Sequence, residues 1–229
     1  MKRSIATLST LLILITFTLV ACGGEDGDNN PPPKGSVGEK DAKVVQSDVA
    51  AGVMQINGVA QADLSSLFTS LAAGAAPFSG KLFSGSVSDL ANLANTGLDI
   101  NSLVDGALGG AMKLSGNIKA LGALPIPSGL PGGLPGGLPS FPGFKLDLDA
   151  ELAKLAGAAG TVLDGKLKIT HTINAIAPLD VDVSVTGDLS VGGVAAGSAR
   201  VDITMSIDDK GALVCGTVAG YDVSTGACP

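Results

Sequence analysis

The chain has no tryptophan, one tyrosine, one histidine and three cysteines among 229 residues. Sugar sites and peptide grooves lean on aromatic platforms, so this scarcity argues against both kinds of recognition. A single histidine, His171, excludes multi-histidine metal centres, and the few cysteines leave no Cys/His zinc set. No nucleophile elbow, phosphate-binding loop or metal-binding helix motif occurs. Cations are also few, 14 Lys and Arg against 21 Asp and Glu, for a formal charge of −7. An acidic surface repels phosphate backbones, so nucleic acid is not an expected partner. The expectation is a protein without catalytic residues, metal or cofactor.

No apolar run approaches the ~20 residues that a membrane-spanning helix needs. The longest, Leu11 to Val20, follows Lys2 and Arg3, and this order of basic start and short apolar stretch reads as a secretory signal over residues 1–21. It ends in Leu19-Val20-Ala21-Cys22, which resembles the lipobox of bacterial lipoproteins. The resemblance covers only residues 1–24. It implies cleavage before Cys22, a diacylglycerol on that thiol and acyl chains such as palmitate. One acyl chain holds a protein marginally and two hold it firmly, at about 0.8 kcal/mol per buried CH₂. The implied place is the cell envelope, with the membrane as partner through Cys22. Gly23, where an Asp would favour inner-membrane retention in Gram-negative relatives, resembles the outer-membrane default. Losing Lys2 and Arg3 with the leader makes the remaining chain more acidic still.

With Cys22 lipidated, Cys215 and Cys228 remain as one possible pair, and outside the cytoplasm a disulfide is their expected state.

Residues 22–43 read as the lipidated cysteine and a disordered tether, because Gly23 to Asn30 and Pro31-Pro32-Pro33 are too polar and too rich in breakers to fold. The rest, 44–229, reads as a single α+β domain. Ser47-Asp48 is an expected cap for a helix carrying Val53, Ile56, Ala60, Leu64, Leu67 and Leu71 at spacings of three and four. Asp99 is expected to cap a second helix with Ile100, Leu103, Val104, Ala107, Leu108, Ala111, Met112, Ile118 and Leu121 on one face, weakened by its glycines. A Gly-Gly-Leu-Pro repeat marks 122–144 as a low-complexity loop. A short helix is expected over 146–158, with Leu148, Leu152, Leu155 and Ala159 on one side. The period then changes to two, through Leu167, Ile169, His171 and Ile173, then Leu179 to Val191, then Ala199 to Ile207. Asp208-Asp209-Lys210-Gly211 is a turn signal, and Leu213 to Tyr221 reads as a last strand. The expected fold is therefore interrupted, Gly-rich N-terminal helices packed on one face of a C-terminal antiparallel meander of about four strands.

Three sets of residues invite a chemical reading. His171 shares the apolar face of its strand, which suits a core histidine. Asp147, Asp149 and Glu151 alternate in a way that offers oxygens to a cation, and Asp180 and Asp182 share a strand face. Neither set has the glycine-punctuated loop of a calcium site, so both read as solvated surface. Two functions follow from the pattern. The apolar sheet face is either a filled core in a structural or interaction lipoprotein with an envelope protein partner, or a shelter for an apolar ligand such as an acyl chain. The first is preferred, because a filled core is the usual fate of such a face.

Overall fold

The computed structural model describes residues 35–72, 78–85, 92–93, 95–122, 143–176 and 179–228. The leader, Cys22, residues 23–34 and nearly all of the Gly-Gly-Leu-Pro segment lie outside the described residues.

Among the described residues, one long helix and one large sheet make the body. Helix α1 (Glu39–Ala72) opens with Glu39 and Asp41 against its positive N-terminal end. Strands β1 (Phe78–Ser79) and β2 (Ser84–Gly85) form a small hairpin. Eight strands follow: β3 (Leu98–Asp105), β4 (Ala111–Ala120), β5 (Phe144–Ala156), β6 (Thr161–Ile176), β7 (Leu179–Gly193), β8 (Gly197–Asp208), β9 (Gly211–Val218) and β10 (Tyr221–Asp222). Each pairs antiparallel with its sequence neighbours, so the sheet order is β10-β9-β8-β7-β6-β5-β4-β3.

This overturns the expected four-strand meander with several helices. Residues 98–120 form the β3–β4 hairpin, and 144–156 form β5. Apolar residues four apart, such as Ile100 and Val104 or Leu148 and Leu152, fit one helix face and one strand face equally well. The residues between them decide. Leu146, Leu148, Ala150 and Leu152 are all buried while Lys145, Asp147, Asp149 and Glu151 are exposed, which is a period of two. Leu103 and Leu108, which a helical face would bury with Ile100, are 66% and 62% exposed. The glycines at 106, 109 and 110 lie in the turn between β3 and β4, where the chain needs them. Ser47-Asp48 is not a cap either, since α1 begins eight residues earlier, at Glu39.

The apolar face of the sheet and α1 share one core, which includes Val45, Val49, Val53, Ile56, Leu64, Leu67, Ile118, Phe144, Leu163, Val185 and Ile203. The helix crosses the strands rather than following one. Its Asp48 meets Thr161 at the start of β6, Gly52 lies beside Leu155 of β5 and Met112 of β4, and Gln55 Nε2 donates to the Asp105 carbonyl at the end of β3 (2.6 Å). Covering so many strands with one helix requires the sheet to bend. Gly116 (φ 157°) and Gly187 (φ 155°) sit at inward positions where a Cβ would fall about 2 Å from the carbonyl oxygens of Asp147 and Lys166 on the next strand. Glycine kinks of this kind are how strands curve without steric conflict.

Both ends of the chain's described part are stitched to the sheet. Ser198 of β8 exchanges backbone hydrogen bonds with Gly35 and Val37. After β10 the tail runs back along β9, with Val223 N donating to Gly216 O and Thr225 N to Val214 O.

Candidate functional site

Cys22 lies outside the described residues. The structure joins Cys215 of β9 to Cys228 in the tail by a disulfide, with Cα atoms 5.8 Å apart. This bond and the tail's backbone hydrogen bonds cover an edge of β9 that would otherwise present unpaired N–H and C=O groups. The tail turn is held by Asp222, which accepts from both the hydroxyl (2.6 Å) and the amide (2.9 Å) of Ser224. These two bonds hold the Asp222 carboxyl below the usual carboxylate range.

His171 points into the core from β6, opposite Leu146 of β5 and Val183 of β7, with no exposed surface. Neither ring nitrogen has a hydrogen-bond partner among the described residues, and the same holds for Oδ1 of the buried Asn57 on α1. Burial alone lowers the His171 pKa from 6.5 to about 4, so the ring is neutral at physiological pH. No hydroxyl or thiol is bonded to it, so it activates no nucleophile in this geometry.

The carboxylates noted in the sequence lie on the wet face. Asp147 accepts from Lys145 (3.0 Å) and from Thr170 Oγ1 (2.9 Å), and Asp149 lies 3.7 Å from Lys168 Nζ. Asn174 Nδ2 bridges Asp180 and Asp182. Asp147, Asp149, Asp180 and Asp182 therefore each face a donor. Among the described residues no group of three or more His, Cys, Asp or Glu side chains could hold a metal.

Register reveals what spacing along the chain does not. Lys113 of β4 stands opposite Glu151 of β5, Glu151 opposite Lys166 of β6, Lys166 opposite Asp188 of β7, and Asp188 opposite Arg200 of β8. Five strands thus carry a row of charges that alternates in sign. The row crosses a shallow concavity of about 800 Å³ on the wet face, which Ser115, Lys168 and Thr186 also line. Directly opposed unlike charges stabilise a sheet by about 0.2–1 kcal/mol per pair. Within the row, alternation largely cancels the long-range field of its members.

Two further carboxylates, invisible as functional signals in the sequence, are buried on α1. Asp63 accepts from the backbone amides of Lys81 (3.0 Å) and Leu82 (2.6 Å) and so fixes the β1–β2 turn. Asp48 accepts from Thr161. Both are acids placed to satisfy buried donors, a structural use of charge.

Compared with protein-family models, with curated proteins and with solved structures, the chain matches none of them.

Proposed function

We propose that this chain is a bacterial lipoprotein of the cell envelope, held on a membrane by lipid on Cys22, and that its body has a structural or interaction role rather than a catalytic one. The observation that carries the reading is the sequence Leu19-Val20-Ala21-Cys22 directly after a basic start and a short apolar run. No helix among the described residues is long and apolar enough to cross a membrane. The body supports a non-catalytic role through its polar groups. Its one histidine is buried with no hydrogen-bond partner among the described residues, and its buried acids on α1 each hold a donor of the same chain.

The apolar sheet face is covered by α1 and belongs to one continuous core, which favours a filled interior over a shelter for acyl chains. On this reading the surface that meets a partner is the wet face or the turns. The decisive experiment is Cys22→Ala expressed in a bacterial host that processes lipoproteins. Loss of acylation, read by mass spectrometry, and release from the membrane fraction after a salt wash are the expected results. A variant that still sediments with membranes would refute the lipid anchor. Organic extraction of the purified protein separates the two interiors: an empty extract fits the filled core, and a stoichiometric apolar ligand fits a carrier.

A further inference from the structure

The two ends of the sheet differ in chemistry. Four turns lie at the end where β3, β5, β7 and β9 finish: Gly106 to Gly110, Gly157 to Gly160, Val194 to Ala196, and Ala219-Gly220. None of these residues is charged. Leu108 is 62% exposed and Val194 68%, and Ala107, Ala158, Ala159 and Ala196 are exposed beside them. At the other end the β8–β9 turn presents Asp208, Asp209 and Lys210, with Asp180 directly opposite Asp208, and Leu121, 52% exposed, follows the end of β4.

The uncharged turns form a connected band rather than separate tips. Ala156 N donates to Gly109 O (3.0 Å), which ties the β3–β4 turn to the end of β5. Val194 N donates to Gly160 O (3.2 Å), which ties the β5–β6 turn to the β7–β8 turn. The described chain enters beside that same band, since Ser198, two residues past Ala196, is bonded to Gly35 and Val37. Gly35 is thirteen residues after Cys22.

We propose that this end of the sheet is a membrane-contact surface, with the Leu108 and Val194 turns resting in the bilayer interface beside the lipid on Cys22. The inference rests on the lipoprotein reading for its anchor, and adds an orientation and a second point of contact. Several observations converge on a lipid surface as the occupant. Exposed aliphatic side chains on turns that themselves carry no charge gain by leaving water. The anchor's chain arrives at this end. The opposite end, with its carboxylates, resists approach to hydrocarbon because a charge there would lose its hydration. The body then stands on its turns, with the charged wet face and the β8–β9 turn held in the aqueous phase.

The absence of tryptophan makes the test direct, because one introduced indole reports alone. Leu108→Trp, Val194→Trp and, as a control at the other end, Lys210→Trp are prepared in the full-length, host-processed protein. Each is reconstituted on phosphatidylcholine vesicles with and without brominated acyl chains. The expected result is quenching by about twofold or more and a blue-shifted emission for L108W and V194W, with neither for K210W. Unquenched L108W and V194W on vesicle-bound protein would overturn the proposal. Quenching of K210W alone would overturn it too, by reversing the orientation. Emission that shifts without bromolipid quenching, together with a dimer in sedimentation, would assign the band to a second copy and overturn it as well. Mass spectrometry of the same samples keeps the anchor separate. If Cys22 carries no acyl chain, the lipoprotein reading fails, and the band is then judged by the same quenching in a large excess of vesicles, where its absence refutes membrane contact.

Discussion

Thr161 Oγ1, at the start of β6, donates a 2.5 Å hydrogen bond to Asp48 Oδ2 on α1, joining helix to sheet across 113 residues. Both residues are buried, at 1% and 4% exposure, so neither group can turn to water if the other is removed. The bond therefore fixes the axial position of α1 over the strands it crosses. Asp48→Ala should cost about 1–3 kcal/mol, the penalty of leaving a buried donor unpaired. Asp48→Asn keeps an acceptor and should cost less. Gly157→Ala should also destabilise, because its Cβ would overlap the Asp48 carboxylate. Urea denaturation of the three variants checks the ranking, and D48A as stable as the parent would show that the bond holds nothing.

The disulfide gives a second test. Joining Cys215 to Cys228 closes a loop of about fourteen residues, which the chain-entropy model values at about 3 kcal/mol. For a body of this size that corresponds to a fall in Tm of roughly 6–12 °C on reduction. Reduction should also speed amide exchange at Val214 and Gly216, whose N–H groups donate to Thr225 Oγ1 and Ser224 Oγ in the tail. Unchanged exchange at both amides after reduction would show that the tail stays seated without the bond.

Alternation across β7 predicts opposite outcomes for adjacent residues. Val183 is 3% exposed between His171 and Met205, while Ser184 faces water opposite Thr170 and Thr204. Val183→Asp should destabilise strongly, because burying a carboxylate costs several kcal/mol out of a total stability near 5–15 and pairing with the buried His171 beside it offsets only part of that cost. Ser184→Asp should change stability by less than about 1 kcal/mol. Equal tolerance in thermal melts would contradict the burial of this face.

How much of this is readable in the chain depends on the local period. In β6, β7 and β8 the apolar residues recur every second position, interrupted only by His171 and Gly187, from Leu167 to Ile173, Val181 to Val191 and Ala199 to Ile207, and only a strand satisfies that run. On α1, Val53, Ile56, Ala60, Leu64 and Leu67 leave no such ambiguity for a helix. The pattern misleads over β3, β4 and β5. There Ile100 and Val104, or Leu148 and Leu152, stand four apart, and the intervening inward positions are Ser102 and Ala150, too weak to signal a period of two. Glycines at 106, 109 and 110 look like costs to a helix, whereas their positive φ at 109 and 110 marks a hairpin turn. The charge row from Lys113 to Arg200 is beyond reach from sequence, because it exists only once five registers are known. Asp48 likewise reads as a helix cap until its partner, more than a hundred residues away, is placed beside it.

His171 should make stability depend on pH. Its folded pKa, about 4, is depressed by burial from an ordinary value of 6.5. Above pH 6.5 the ring is neutral in both states and the folded protein keeps its full stability. As pH falls from 6.5 to about 4 the unfolded chain takes up a proton that the folded chain refuses, and stability drops by about 3 kcal/mol, levelling once the folded ring also protonates. His171→Leu should remove this part of the dependence and cost little at pH 7.5, since neither nitrogen gives up a hydrogen bond. The measurement is the difference between parent and H171L in unfolding free energy from pH 7.5 to 4. Parallel curves would refute the assignment, and carboxylates common to both proteins cancel.

The charge row makes the last prediction, and its middle member is the most informative. Lys166 on β6 has Glu151 on one side and Asp188 on the other, so it is the only cation between two directly opposed acids in that row. Lys166→Gln removes two favourable pairs and should cost about 0.5–1.5 kcal/mol, given the usual 0.2–1 kcal/mol for each. Lys166→Glu goes further, since it places three acids side by side across three strands and turns two attractions into two repulsions. Its cost should exceed that of K166Q by a similar amount. All these groups are exposed, so salt must weaken the effect: in 1 M NaCl the screening length falls to about 3 Å and the gap between K166E and K166Q should close. Asp188→Lys in the K166E background should bring no net recovery, because the attraction it creates with the carboxylate introduced at position 166 is offset by the new repulsion between its ammonium and Arg200 across β8. Urea denaturation at 0.05 and 1 M NaCl checks all of this. A loss in K166E that is indifferent to salt would mean that the lysine's methylene packing, and not the row of charges, holds this part of the sheet.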